Sequence, residues 1–114
     1  MPYGTLALSG YRGMWLCAMF DLPVDSKEAR KEYVRLRNTL LDDGFTMLQF
    51  SVYARYCVSE EASVAHRSHV RKVIPSGGQV RLLSITDRQF GKMDIFYGKT
   101  RKKAEKKPTQ AMLF

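Results

Sequence analysis

The sequence predicts an α+β sandwich, with two helices laid over one face of a mainly antiparallel sheet. Three observations lead there. A short apolar run, residues 15–23 (WLCAMFDLP), stops at Pro23 as a strand buried on both faces does. Two later segments carry helical periodicity behind serine N-caps. The stretches between and after them are rich in β-branched and aromatic residues. At 114 residues the chain has room for one core without staples.

Residues 1–13 hold three glycines, a proline and two tyrosines without a sustained period, and read as a flexible leader. The first strand then runs to Asp21, and Pro23 fixes its exit. A carboxylate held where a stiff strand emerges suits a hydrated divalent metal or a phosphate-facing site. The same position equally suits an acid that orders the turn into the next helix. Asp25 with Glu28 makes an acidic capping box, and Ser26 is an equally good N-cap. Ala29, Tyr33, Leu36 and Leu40 share one helix face, which Val34 and Leu41 widen. Gly44 fits the left-handed position after the helix, and Phe45 the apolar contact beyond it. Asp42 and Asp43 sit at the end the helix dipole disfavours. Arg30, Lys31, Arg35 and Arg37 lie away from the stripe, a solvated face by default and phosphate contacts beside a polyanion.

Residues 46–58 place Leu48, Phe50, Val52, Ala54, Tyr56 and Val58 on one parity and Gln49, Ser51, Tyr53 and Arg55 on the other. Periodicity alone predicts one long strand with Tyr53 and Arg55 on its polar face. Ser59, Glu60 and Glu61 open a second helix that runs to about Ile74. Ala62, Ala65, His69 and Val73 share its inner face, with His66 at the margin. No Cys, Asp or Glu stands at ligand spacing on that face, so both histidines read as structural. Residues 75–78 are a turn, residues 79–86 an inner strand apolar on both parities, residues 87–91 a turn and residues 93–97 a last short strand. This order, β-α-β(β)-α-β with an extra C-terminal strand, makes a ferredoxin-like sandwich over residues 14–98 the economical solution. Two helices cover only one face of such a sheet, so a homodimer is expected to bury the other.

Composition is ordinary for a globular protein at 45% hydrophobic and 26% charged, but the formal charge is +8 and the pI near 9.7. Such a field favours polyanions, nucleic acid before an anionic membrane surface. The excess concentrates in a tail, residues 99–114, where Lys99, Arg101, Lys102, Lys103, Lys106 and Lys107 oppose only Glu105. A run so dense is useful beside a phosphate backbone, or serves as a solubiliser. Beyond Pro108 the chain closes on QAMLF, whose Met112, Leu113 and Phe114 have nothing local to cover them and form a candidate docking peptide. That ending also resembles the peptide by which bacterial proteins dock on the replication clamp. Cys17 and Cys57 have no CxxC spacing and no neighbouring histidine, and read as reduced packing thiols of a cytoplasmic protein. No stretch approaches the ~18 apolar residues of a membrane span, and no secretion signal opens the chain.

Three motifs carry a family resemblance: MFDLPV at 19–24, GFTMLQFSVY at 44–53 and VRLLSITDRQF at 80–90. In order and spacing, over roughly residues 15–98, they resemble the small second core adaptation protein of CRISPR systems, the metal-dependent endonuclease-like partner of the CRISPR integrase. MFDLPV, together with YRGMW at 11–15, is most similar to the type II form that accompanies the Cas-nine type effector. The resemblance implies a ferredoxin-like homodimer and a break of residues 46–58 near Phe50 and Ser51. It implies that Asp21 of each subunit faces its twin and that the two share one Mg2+ or Mn2+ ion. Phe20 stands where some members have tyrosine, so no adjacent hydroxyl is expected to assist.

Two functions follow from the resemblance. One is a dimeric bridge between integrase dimers that binds double-stranded DNA without reading sequence. Its contacts would come from Arg30, Arg35, Arg37, Arg55 and the tail cations, with Met112, Leu113 and Phe114 docking on a partner. The other is a metal-dependent endonuclease on RNA or double-stranded DNA with Asp21 as catalytic residue. A toxin-like ribonuclease of the same fold, acting without an integrase, is a further alternative of lower weight. One carboxylate per subunit, without a second acid, a general-base histidine or a phosphate-cradling glycine loop, is sparse for catalysis and favours the bridge. A sequence-reading RNA module would need aromatic RNP strands, and their pattern is absent.

Overall fold

A computed structural model describes residues 13–108. Strand β1 (Met14–Asp21) leads into helix α1 (Lys27–Asp42), then a hairpin of β2 (Thr46–Gln49) and β3 (Val52–Cys57). Helix α2 (Glu60–Arg71), strand β4 (Gln79–Thr86), a short helix α3 (Asp87–Gly91) and a second hairpin of β5 (Ile95–Tyr97) and β6 (Thr100–Lys102) complete it. The main sheet has the order β2-β3-β1-β4, with every neighbouring pair antiparallel. Each helix therefore joins two strands that have a third between them, β3 for α1 and β1 for α2, which is the ferredoxin-like arrangement. The leader residues 1–12 and the terminal Met112, Leu113 and Phe114 lie outside the described residues.

Strand β1 is bonded along both edges and buried on both faces. On the helix side Leu16, Ala18 and Phe20 pack with Leu36 and Leu40 of α1, Val70 of α2, and Phe45, Tyr53 and Cys57. Trp15 and Cys17 face the other way, into a smaller core with Ala54, Tyr56 and Phe90. Burial of both parities is why the run is apolar without alternation.

The second core depends on a local signal that reads as a plain turn in the sequence. Residues 87–91 form a helical turn, because the Thr86 hydroxyl accepts from Gln89 N at 3.0 Å while Gln89 Oε1 accepts from Thr86 N at 2.9 Å. This capping box lays Phe90 flat on Trp15, with ring centroids 4.0 Å apart and 9° between planes. Asp87 Oδ1 takes the buried indole N–H at 2.8 Å. The sheet face expected to be bare is thus partly covered by the chain's own α3 and Ala104.

Helix α1 begins at Ser26, whose Oγ accepts from Ala29 N at 3.0 Å. It ends as its glycine predicts: Gly44 takes φ +86°, its N–H reaches Leu41 O at 3.1 Å, and Phe45 N reaches Leu40 O at 2.9 Å. Val34 and Leu41 do not widen the buried stripe, being 48% and 41% exposed. Residues 46–58 are two strands, not one. Ser51 at φ 64° turns the chain back, while the alternation of side chains passes through the turn unbroken and hides it. Tyr53 consequently belongs to the helix-side core rather than to a polar face.

Strand β4 is an edge strand, not an inner one, and leaves Leu83 48% exposed. Helix α2 ends at Arg71 and buries Ser63 and Val70 instead of Ala65, so the helix is rotated from its expected face. Ser63 tolerates this because its hydroxyl donates to Glu60 O at 2.7 Å. The basic segment beyond Gly98 enters the fold as β6, where Lys102 Nζ lies 4.6 Å from the Tyr97 ring centroid and Arg101 pairs with Asp94.

Phe90→Ala is expected to cost about 3–4 kcal/mol in urea unfolding. It should also red-shift the emission of Trp15, the single tryptophan, in the folded chain. Cys17 and Cys57 are free and buried, and burial pushes both thiols above their ordinary 9.0. The folded chain therefore keeps protons that the unfolded chain releases. Their contribution is full below pH 9.0 and falls away as pH rises through the raised native values. Urea midpoints at pH 8 and pH 10 measure the drop, and a C17S/C57S double variant should show less of it.

Candidate functional site

Asp21 is the last residue of β1 and is exposed. Its parity is that of Trp15, Cys17 and Met19, so its side chain belongs to the sheet face opposite α1 and α2. In register it pairs with Gln79, and Met19 pairs with Arg81, so both polar side chains share that face. Met19, Phe20, Asp21, Gln79 and Arg81 line one shallow depression, in which Arg81 Nη2 donates to Gln79 Oε1 at 3.2 Å. None of the ion pairs among the described residues engages Asp21.

The backbone around this carboxylate is held from two sides. Phe20 N donates to Ser51 O at 3.1 Å, which ties the end of β1 to the β2–β3 turn. Gly78, at φ +76°, passes so close that an added Cβ would sit 2.4 Å from Asp21 O and 3.0 Å from Leu22 Cα. The second glycine of the PSGG turn is thus required both by its dihedral and by contact. Gln79 and Arg81 are the neighbours that sequence reading passed over. Their signal was the polar parity of residues 79 and 81 against apolar Val80 and Leu82.

The sequence-predicted cations fall into separate places. Arg30 and Arg35 line a groove on the exposed side of α1 with Lys27, Lys31 and Val34, and Arg37 is also exposed. Arg30 Nη1 additionally donates to Val24 O at 3.1 Å. Arg101, Lys102, Lys103, Lys106 and Lys107 line a second concavity beside Asp87 and Lys92, and Lys99 is exposed in the β5–β6 turn. Arg55 stands apart from both. Its Nε donates to Asp43 O at 2.7 Å and its Nη1 to Tyr56 O at 2.6 Å, so it bridges the end of α1 to β3.

The histidines are placed differently from expectation. His66 is the more buried, its side chain 17% exposed against 50% for His69. Both meet an acid that no spacing along α2 reveals: Asp43, with His66 Nδ1 at 2.7 Å from Oδ2 and His69 Nδ1 at 3.1 Å from Oδ1.

Comparison with known proteins agrees with this architecture. The family described as CRISPR associated protein Cas2 matches residues 14–93. A CRISPR-associated endoribonuclease Cas2 of Parvibaculum lavamentivorans is 50% identical over 101 residues, covering 89% of this chain and all of that protein. One of the same description from Flavobacterium psychrophilum is 42% identical, covering 94% of this chain and 93% of its own. A crystal structure of Cas2 superposes with a TM-score of 0.56 at 13% identity, over 79% of this chain and 91% of the other, a likeness of fold. Among the described residues, no helix is long and apolar enough to cross a membrane. A ferredoxin-like sheet with an acid at the end of its central strand, matched through residues 14–93, makes this chain a member of the CRISPR-associated Cas2 family.

Proposed function

We propose that this protein acts in spacer acquisition as a homodimeric bridge, holding integrase subunits apart while duplex DNA lies along its cations. The observation that carries the reading is the distribution of charge around the one acid. Asp21 is a lone carboxylate in its depression, whereas the exposed side of α1 and the β6-to-tail segment each offer several cations. Lysines and arginines at surface positions supply phosphate contacts without sequence reading. The uncovered part of the outer sheet face, where Leu83 is exposed beside Met19, is the apolar surface a second copy would bury. Arg30, Arg35, Arg37, Lys99, Arg101, Lys102, Lys103, Lys106 and Lys107 are the proposed DNA contacts, and Arg55 acts by holding the end of α1. The terminal Met112, Leu113 and Phe114 remain the proposed docking peptide for the integrase.

A metal-dependent endonuclease is the second reading, and the names of the relatives favour it. A single exposed carboxylate does not make a magnesium site, but two Asp21 carboxylates meeting across a twofold axis fit a hydrated Mg2+ or Mn2+ ion that keeps several waters. When bound there, such an ion supplies Lewis acidity to a phosphate oxygen or a water. The chain itself contributes the fixed end of β1, which aims the carboxylate, and Arg81 on the same face, which can meet a phosphate. The substrate in this reading is RNA or double-stranded DNA.

Asp21→Ala separates the two readings. Fragment insertion reconstituted with the integrase is expected to persist, with duplex affinity within about twofold of the parent, since phosphate contacts dominate that affinity. Loss of insertion while the dimer and the complex persist would transfer the function to metal chemistry. Replacing Arg30, Lys31 and Arg35 together by Glu should weaken duplex binding at every sequence. It should also flatten the salt dependence of the affinity, since fewer counterions are released.

A further inference from the structure

Two helices bring three ligand-type side chains to one point away from Asp21. Asp43 is the C-cap of α1, and His66 and His69 stand three residues apart on α2, so both rings leave one side of that helix. The ligand atoms of all three lie within 4.8 Å of one another. Both Nδ1 atoms aim at a single carboxylate, one at each oxygen, at 2.7 and 3.1 Å, with the rings at 90° to each other. Arg55 reaches Asp43 only through its main-chain oxygen, which leaves the carboxylate to the imidazoles.

The position itself calls for a cation. A carboxylate at a helix C-terminus adds to the negative end of the macrodipole, and Asp43 is also largely removed from water, its side chain 17% exposed. A divalent ion there would answer both the dipole and the acid. We infer that Asp43, His66 and His69 form a binding site for a transition-metal ion of the zinc class, separate from Asp21, which fastens the end of α1 to α2. Two imidazoles and one carboxylate suit zinc-like ions rather than magnesium, which prefers oxygen ligands. A tetrahedral ion with ligands at ~2.0–2.1 Å sets its donors about 3.3 Å apart, so the His66 contact at 2.7 Å and the His69 contact at 3.1 Å would each lengthen, by about 0.6 and about 0.2 Å. Each neutral imidazole has to carry its proton on Nε2 for Nδ1 to bind, and the fourth position stays open to water on the side where His69 is half exposed.

The test is equilibrium dialysis of the full, tag-free chain against Zn2+, followed by metal analysis and by thermal unfolding with and without added zinc. The parent and Asp21→Ala should each retain one zinc per chain and unfold at higher temperature when it is present. His69→Gln, a half-exposed position that leaves the fold intact, should weaken binding by about tenfold or more and abolish the thermal shift. His66→Gln should do the same, and C17S/C57S should leave zinc binding unchanged. A parent chain that retains no zinc overturns the proposal, as does equal retention by His69→Gln or loss on Asp21→Ala. These readouts do not depend on insertion or cleavage, so the site stands or falls apart from the proposed function.

Discussion

The double burial of β1 is the constraint on which the rest of this molecule depends. A strand hydrogen-bonded to β3 on one edge and β4 on the other, with side chains packed above and below, holds the backbone of its last residue in place while leaving that residue's side chain exposed. Asp21 is therefore presented by a rigid element, and its surroundings reinforce this. Ser51 holds the backbone of Phe20, and Gly78 allows β4 to begin in contact with the main chain of Asp21 and Leu22. Rigidity of this kind is what a shared carboxylate site needs, because two copies of one residue meet productively only if neither can wander.

The same strand divides the molecule into two cores of unequal size. The larger is an ordinary helix-on-sheet layer, and the smaller is an aromatic cluster on the opposite face, built by Trp15, Tyr56 and Phe90. The smaller core covers only the end of the sheet near Trp15. Toward Asp21 the described residues leave the outer face open, with Met19 partly buried and Leu83 exposed. Among the described residues, one face is thus closed at one end by the chain itself and left uncovered at the other. The acid and the apolar patch lie together in the open part, which gives the dimeric reading a physical basis.

The junction after α1 concentrates a second set of demands. The helix ends in a Schellman motif at Gly44, Arg55 clamps the carbonyl of Asp43 from β3, and the carboxylate of the same residue receives two imidazoles from α2. An acid at the wrong end of a helix is tolerated because three neighbours converge on it. Arg55, a plausible phosphate contact from its place in the sequence, is occupied in this junction, whereas the cations of α1 and of the segment after Gly98 stay at the surface.

Local chemistry alone determined a good deal. The apolar run ending at Pro23, the serine caps at 26 and 59, and the glycine stop at 44 each act through neighbours only a few residues away, so the helices and the central strand were legible. The ferredoxin-like order followed from counting those elements. What escaped were facts about partners distant in the chain. The break at Ser51 was invisible to periodicity because side-chain parity continues across it, and only the family motif indicated it. The edge position of β4, the inward place of Tyr53 and the meeting of Asp43 with two histidines depend on which strands and helices become neighbours. Residue spacing along one element cannot encode that, since the carboxylate and the imidazoles are brought together by the packing of α1 against α2 and by nothing in the segment either one belongs to.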